Sequence, residues 1–355
     1  NKFAAAAAAP IILNIILIVS LIISYFLKLN FAKNLSYGVT LAGIVQLIFL
    51  IFVTFKFYKP EFVFNFKFNN KVKLFFQKLL PSILSSGVTQ INILVGTIIA
   101  SFQSGAVSYL YYADRIYQIN LAIAGIAVST VSLPVLSKAF KNKSLKKISN
   151  IQNKSIELSL LLSVPASIGI ILSAEQIVNA LFGYGSFSKN DVAMTASALK
   201  YFGYGIPAFA LIKVLSNFFF ARQNTKTPFY ISVFIMSLNI FISISLFSRI
   251  GFIIIPIATS VSTWIGVIIY FFLLKIKNFL QLENLTILNL AKILTSSILM
   301  SLALLTALDH YVTYLDYSYK YKAIYLISII GFVGTLYLLS CYLLGILKLK
   351  NYKAY

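Results

Sequence analysis

Long apolar stretches separated by short polar links run along most of the chain. Each stretch is close to the ~20 residues that an α-helix needs to cross the hydrocarbon core of a bilayer. The pattern therefore predicts an all-α polytopic membrane protein with about ten transmembrane helices. The predicted segments are 4–27, 35–55, 80–101, 106–137, 155–174, 193–221, 228–248, 251–274, 290–309 and 323–347.

Proline and short links refine these segments. Three segments are predicted to begin at a proline, because a proline in the first helical turn sacrifices no hydrogen bond. These prolines are Pro10, Pro81 and Pro228. The shortest link, at Arg249 and Ile250, predicts a hairpin of adjacent antiparallel helices.

Composition excludes a soluble domain. Hydrophobic residues make up 59% of the 355 residues and charged residues 11%, whereas soluble domains carry about 25% charged residues. The net charge of +22 does not indicate a nucleic-acid partner, since the charges lie between apolar blocks rather than on one surface. The single cysteine, Cys341, cannot form a disulfide within the chain. There is one histidine, His310, and no cluster of cysteines and histidines, which argues against a zinc site.

The basic residues predict the orientation. With residue 1 in the cytoplasm, 21 lysines and arginines fall on the cytoplasmic side and 7 on the other. Cytoplasmic loops carry this excess, so we expect both termini in the cytoplasm and a multi-pass protein of the bacterial inner membrane. The longest link, about 56–79, is basic and aromatic. It is interpreted either as a helix on the anionic leaflet or as a segment with a role in substrate entry.

Candidate chemistry concentrates in the fourth segment. Burying an arginine in mid-membrane costs about 2.5–3.5 kcal/mol, so Arg115 marks a candidate site. At 100° per residue it shares one helical face with other polar side chains. This stripe consists of Ser108, Tyr111, Tyr112, Arg115 and Gln118. Asp114, its neighbour, points about 100° away, which leaves two alternatives: Arg115 binds an anion such as phosphate, or it pairs with a carboxylate on another helix.

Other polar positions allow two interpretations each. The third segment carries a stripe that either faces a substrate cavity or hydrogen-bonds to another helix. Its members are Ser82, Ser86, Thr89, Gln90, Thr97 and Ser101. Lys213 is either a buried site residue or extends toward an interface. Asp114 is the one acidic residue that we place clearly within a span, which disfavours an enzyme that needs a pair of carboxylates. The sequence has no phosphate-binding glycine loop, which disfavours an ATP-driven pump.

Several strings together resemble one transporter family. They are Tyr-Ala-Asp-Arg at 112–115, Thr-Val-Ser-Leu-Pro-Val-Leu-Ser at 130–137, Ala-Arg-Gln-Asn-Thr-Lys-Thr-Pro at 221–228 and Ala-Pro-Ile-Ile-Leu-Asn at 9–14. They resemble the MurJ (MviN) family of lipid II flippases, part of the multidrug/oligosaccharidyl-lipid/polysaccharide (MOP) exporter superfamily. The resemblance covers essentially the whole chain.

The resemblance implies an organisation. Members have fourteen spans, in two six-helix lobes followed by two further helices, and the opening of this chain is similar to their fifth span. We therefore expect a fragment lacking about the first four spans. The implied parts are the last two helices of the N-terminal lobe (1–56), a basic cytoplasmic link (57–79), the C-terminal lobe (80–274), and a final helix pair and tail (275–355).

The resemblance also implies a site. The family's central cavity holds the lipid-linked pyrophosphate with arginines, of which one maps onto Arg115, and its final helix pair forms a groove for the polyprenyl tail. The expected substrate-binding residues are Arg115, Asp114, Ser108, Tyr112, Gln90, Asn92 and Lys213. No cofactor is expected, with a sodium ion or the membrane potential as driving force. Asn239 and Thr259 are similar to parts of the family's sodium site, but Gly96 stands where some members have an acidic residue.

The function that the resemblance implies is translocation of lipid II to the periplasmic leaflet by alternating access, for peptidoglycan and cell-wall biogenesis and cell shape. This is transport without covalent chemistry, so no enzyme is expected. The expected partners are lipid II and membrane lipids, with no nucleic acid, and a monomer. The alternatives are an exporter of another lipid-linked oligosaccharide, a multidrug/ion antiporter of the same superfamily, a membrane enzyme of polyprenyl-phosphate metabolism and an inactive fragment.

Overall fold

The computed structural model describes residues 4–55 and 70–347, and within these ranges the regular structure is helical, without strands. The α-helices are α1 (Ala4–Phe26), α2 (Phe31–Phe55), α3 (Asn70–Ser101), α4 (Ala106–Leu121), α5 (Val128–Lys141), α6 (Leu145–Phe182), α7 (Lys189–Phe220), α8 (Lys226–Ile250), α9 (Ile254–Ile276), α10 (Asn284–His310) and α11 (Lys322–Leu343). A π-helical turn, Ala122–Ala127, joins α4 and α5. The predicted all-α fold is confirmed, and each predicted segment matches one helix or, for 106–137, this joined pair.

The helices have the dimensions of membrane spans. Eight stretches of the described residues are long and apolar enough to cross a bilayer, and one of them, Lys226–Ile276, contains both α8 and α9. In α3 the described apolar stretch is the shorter Gly87–Ser101. Together these account for about ten spans.

Two of the three predicted proline starts are wrong. Pro228 does lie in the first turn of α8, but Pro10 and Pro81 lie inside α1 and α3. In α1 the cause is the run of alanines at 4–9, which are the strongest helix formers and extend the helix back past the proline. The helix α3 begins at Asn70, so the end of the predicted link 57–79 is helical and continuous with the span; residues 56–69 lie outside the described residues.

The chain divides into two compact units, Asn1–Phe76 and Gln77–Tyr355. In the first, α1 and α2 form an antiparallel hairpin. The Asn34 amide donates to the Ser20 carbonyl at 2.9 Å and to the Ser24 hydroxyl at 2.6 Å. Toward the other end, the Gln46 amide donates to the Ala9 carbonyl at 2.8 Å. Amides therefore link the two apolar helices, as is common where no water can satisfy a polar group.

In the second unit α7 lies at the centre and packs against α4, α5, α6 and α9. The π-helical turn allows a close approach: a Cβ on Gly125 would lie 3.2 Å from the Ala210 Cα of α7. The long helix α6 bends at Ser173, whose φ of −117° and ψ of 22° are not helical. The Ser173 hydroxyl donates to the Gly169 carbonyl at 2.5 Å, a contact that often accompanies bends. The final pair, α10 and α11, packs on α6.

Candidate functional site

The face of α4 that carries Arg115 points away from the packed core. On the opposite face Ala113 and Tyr117 are buried, and the Tyr117 ring stacks on Phe202 of α7 with centroids 5.2 Å apart. Arg115, in contrast, is exposed. Apolar packing of one face against α7 thus leaves the polar stripe facing outward from the second unit.

Arg115 makes its contacts along its own helix. Its Nη2 donates to the Tyr111 hydroxyl at 3.2 Å, and its guanidinium carbon lies 4.7 Å from the centre of that ring. The adjacent Asp114 accepts a hydrogen bond from Gln118 instead. In the ranges 4–55 and 70–347, an ion pair within 4.0 Å is found between Lys189 and Asp316, and Arg115 takes part in none. In the described part of the chain, one of the five N–H donors of Arg115 thus has a hydrogen-bond acceptor, the Tyr111 hydroxyl.

Two other residues of the predicted stripe, Ser108 and Tyr112, have different surroundings. Ser108 is exposed on the same side as Arg115. The Tyr112 ring turns toward the end of α6, where it lies 4.8 Å from the Phe182 ring and 5.4 Å from the Phe187 ring, between centroids. Tyr112 therefore belongs to an aromatic cluster that packs α4 on α6.

Gln90 and Lys213 are both exposed, on α3 and α7 respectively. Lys213 is therefore not buried within the second unit. Its backbone carbonyl accepts a hydrogen bond from the Ser129 hydroxyl at 3.2 Å. In the α3 stripe, the Thr97 and Ser101 hydroxyls bond carbonyls of their own helix. The side chains of Ser82 and Ser86 lie outside the described residues.

Asn92 lies in a polar cluster that joins three helices. The Asn239 amide nitrogen, on α8, donates to the Asn92 Oδ1 at 3.1 Å and to the Thr259 Oγ1, on α9, at 3.2 Å. The Asn239 Oδ1 accepts from the Ser243 hydroxyl at 3.2 Å. The two residues predicted for an ion site are thus brought together, with Asn92 added.

This cluster does not fit a sodium ion. A cation requires oxygen atoms that point toward it, whereas the Asn239 N–H groups point into the cluster. Its members are amides and hydroxyls, which carry no negative charge. In the described part of the chain, no group of three or more His, Cys, Asp or Glu side chains could hold a metal.

A buried acidic residue escaped the sequence analysis. Glu157 is 8% exposed in α6, and one of its carboxylate oxygens accepts a hydrogen bond from the Thr286 hydroxyl of α10 at 2.7 Å. The expectation that Asp114 alone lies clearly within a span is therefore wrong. The signal was present, because position 157 falls inside the predicted segment 155–174.

A second polar region lies where α6 ends and α10 connects to α11. It contains a cavity of about 290 Å³, whose lining includes Glu175, Lys189 and Asp316. The hydroxyl and backbone N–H of Ser318 donate to Asp316 and hold the pKa of its carboxyl at about 2. Because charges of both signs line this cavity and α4 contributes no residue to it, it is not an extension of the Arg115 site.

Solved structures define the class of protein. The fold is similar to an inward-facing multidrug resistance MATE transporter of the MOP superfamily, with a TM-score of 0.59 and 16% identity over 69% of this chain and 57% of that one. At that identity the likeness shows the fold alone, that of a MOP-type transporter. A lipid II flippase MurJ in an inward closed conformation is more similar, with a TM-score of 0.79 and 25% identity over 97% of this chain and 68% of that one.

Sequence comparisons define the family. The family model for lipid II flippase MurJ matches residues 1–325. A probable lipid II flippase MurJ of Rickettsia prowazekii is 36% identical over 96% of this chain and 68% of its own length. One of Rhizobium meliloti is 34% identical over 87% of this chain and 58% of its own length. The chain belongs to the MurJ family of lipid II flippases, and it spans between about three fifths and two thirds of the length of these relatives.

Proposed function

We propose that this chain forms most of a flippase that carries lipid II from the cytoplasmic to the periplasmic leaflet, and that Arg115 holds its pyrophosphate. The observation that carries the proposal is an arginine on an exposed face of a spanning helix with no carboxylate partner in the described part of the chain. An uncompensated charge in a membrane is unfavourable. A dianionic ligand removes that penalty when it binds.

The residues around Arg115 orient its guanidinium or contact the ligand. The guanidinium fork binds two phosphate oxygens at once, and Tyr111 orients it from one turn away. Ser108, Gln90 and Lys213 are exposed and contact the headgroup. These contacts form and break without covalent chemistry.

The remaining predicted residues support the site indirectly. Tyr112 packs α4 on α6, so its substitution affects transport by displacing the helix that carries Arg115. Asn92 links α3 to α8, and Asp114 accepts a hydrogen bond from Gln118 one turn further along α4.

We also propose that both termini lie in the cytoplasm and that the protein is a monomer. Its parts are the last two helices of the N-terminal lobe (1–56), a basic link (57–79), the C-terminal lobe (80–274), and the final helix pair with its tail (275–355). The distribution of basic residues supports the orientation. Membrane lipids contact the apolar surfaces of α10 and α11, whose outward side chains are exposed leucines, isoleucines and aromatics.

Complementation tests the function. A bacterium whose own lipid II flippase can be depleted receives this chain extended upstream by four spans of the Rickettsia prowazekii relative, the part that the resemblance places before residue 1. We expect the extended chain to restore growth and lipid II exposure at the periplasmic face, and the 355 residues alone to fail. An extended chain that reaches the membrane at normal level without restoring either overturns the proposal.

A further inference from the structure

The polar cluster of Asn92, Asn239, Ser243 and Thr259 joins α3, α8 and α9 inside the second unit, and it lies where the family resemblance implies a sodium site. Asn239 and Ser243 are 6% and 2% exposed. In such an environment, hydrogen bonds to other side chains replace the hydrogen bonds that a polar group has lost to water. The arrangement of its protons determines what the cluster can bind.

The protons of the cluster are arranged for internal hydrogen bonds. Both N–H groups of Asn239 are used, one on the Asn92 Oδ1 and one on the Thr259 Oγ1. The Asn239 Oδ1 accepts from Ser243, and the Thr259 hydroxyl donates to the Ile255 carbonyl at 2.7 Å. To coordinate a cation, the Asn239 amide would have to turn over and give up all three of its bonds.

The cluster also lacks a negative charge, although space for one exists. Gly96 follows Asn92 by one helical turn, and a Cβ built on it would meet the Ile255 Cγ2 at 3.7 Å, an ordinary van der Waals contact. A Cβ is therefore sterically admissible at position 96, where the sequence has glycine and supplies no carboxylate. Without a carboxylate, only neutral oxygens would be left to offset the desolvation of a cation, and here the hydrogen bonds of Asn239 already occupy the oxygens of Asn92 and Thr259.

We propose that this neutral cluster takes the place of a cation site, so that the chain binds no sodium between α3, α8 and α9 and its transport runs without a sodium gradient. The hydrogen bonds of Asn239 then hold the three helices together, a role that a bound ion would otherwise have. The clause on transport rests on the proposed flippase function, whereas the clause on binding does not.

Thermal unfolding of the purified chain tests the binding clause independently of transport. The midpoint is measured in sodium, potassium and choline chloride at equal ionic strength. We expect equal midpoints for the native chain, because a ligand stabilises only a protein that binds it. A saturable increase of the midpoint that is specific for sodium and lost in Asn239→Ala overturns the proposal.

A gained site supplies the positive control. Gly96→Asp introduces a carboxylate one helical turn after Asn92 and is expected to introduce a sodium-specific increase of about 3 °C near tenfold saturation. Gly96→Asn, which is matched in shape and neutral, is expected to show none. If Gly96→Asp is poorly folded, Ser243→Asp supplies the carboxylate from α8. Equal midpoints in all three salts for a folded carboxylate variant contradict the argument that the missing charge excludes sodium.

The transport clause is tested separately, with the extended chain in cells or vesicles. Replacing external sodium with potassium is expected to leave lipid II exposure unchanged, while collapse of the membrane potential reduces it. Sodium-dependent exposure overturns the clause. Absence of exposure in every salt contradicts the proposed function instead, and leaves the binding result standing.

Discussion

The ammonium group of Lys322 donates to the side-chain Oδ1 of Asn179 at 2.9 Å, and this bond fastens the start of α11 to the end of α6. Lys322 is 1% exposed. Its two other protons go to the carbonyls of Gly183 and Tyr317, both at 2.7 Å. The Asn179 amide in turn donates to the Leu315 carbonyl at 2.9 Å. A single buried lysine thus satisfies three acceptors, two at the end of α6 and one in the connection between α10 and α11.

This relationship predicts a large effect of Lys322→Met. The substitution keeps the apolar stem but leaves three buried acceptors without a donor, so we expect the free energy of unfolding to fall by about 2–4 kcal/mol. The readout is the thermal midpoint of the purified chain. The exposed Lys320→Met is the matched control and is expected to change stability by less than about 0.5 kcal/mol. Equal midpoints for both variants would show that the buried network contributes little.

The fold could be read from the sequence because the bilayer fixes the length and apolarity of each span. The ends of the helices could not. Helix α6 extends over Leu145–Phe182 rather than 155–174, since its polar first turns continue the helix outside the apolar stretch. Hydropathy measures burial in lipid and does not register a polar helical turn.

The candidate site was predictable only in part. Helical periodicity placed Arg115 and Ser108 on one face, because both positions lie on one regular helix. It could not show that Tyr112 packs on α6 or that Asn92 joins Asn239, which depends on how separate helices pack. Nor could it identify Lys322, which stands at the boundary of an apolar segment where exposed lysines are common.

Glu157 offers a test of a buried acid in the membrane. Glu157→Gln keeps an oxygen that accepts the bond from Thr286 and removes any charge, so we expect stability within about 1 kcal/mol of the native chain, or above it. Glu157→Ala leaves the Thr286 hydroxyl, which is 2% exposed, without its partner and is expected to cost about 1–3 kcal/mol. Thermal unfolding compares the two. A glutamine variant as unstable as the alanine variant would indicate that the carboxylate itself is required.

Cysteine labelling tests the proposed orientation. The native Cys341 is fully buried, so introduced cysteines give the accessible signal. A cysteine at the exposed Asn142 is expected to be shielded from a membrane-impermeant thiol reagent in intact cells, and one at the exposed Lys320 to react. Permeabilised cells, in which both must react, supply the control. The reverse pattern in intact cells would place the termini on the other side of the membrane.

Arg115 carries the last prediction, and it is made in the upstream-extended chain. Arg115→Ala removes the fork that binds two phosphate oxygens, so we expect flipping to fall by about 100-fold or more. The protein should remain inserted and abundant, because loss of a charge relieves an insertion penalty. Arg115→Lys keeps the charge without the fork and should be less impaired. Tyr111→Phe removes only the hydroxyl that orients the guanidinium, and a reduction of about fivefold is expected.

The measurement is lipid II exposure at the periplasmic face alongside protein level in the membrane, with the exposed Arg249→Ala as an arginine control of unchanged activity. The pattern among the variants separates two roles for Arg115. If Arg115 binds an anion, all three variants should be present at normal protein level. Their loss of flipping should increase from Tyr111→Phe through Arg115→Lys to Arg115→Ala. A structural role predicts that Arg115→Ala is depleted from the membrane, because the helix that carries it no longer packs. Normal flipping by Arg115→Ala would refute the anion site directly, since no neutral side chain at this position replaces two charge-assisted hydrogen bonds.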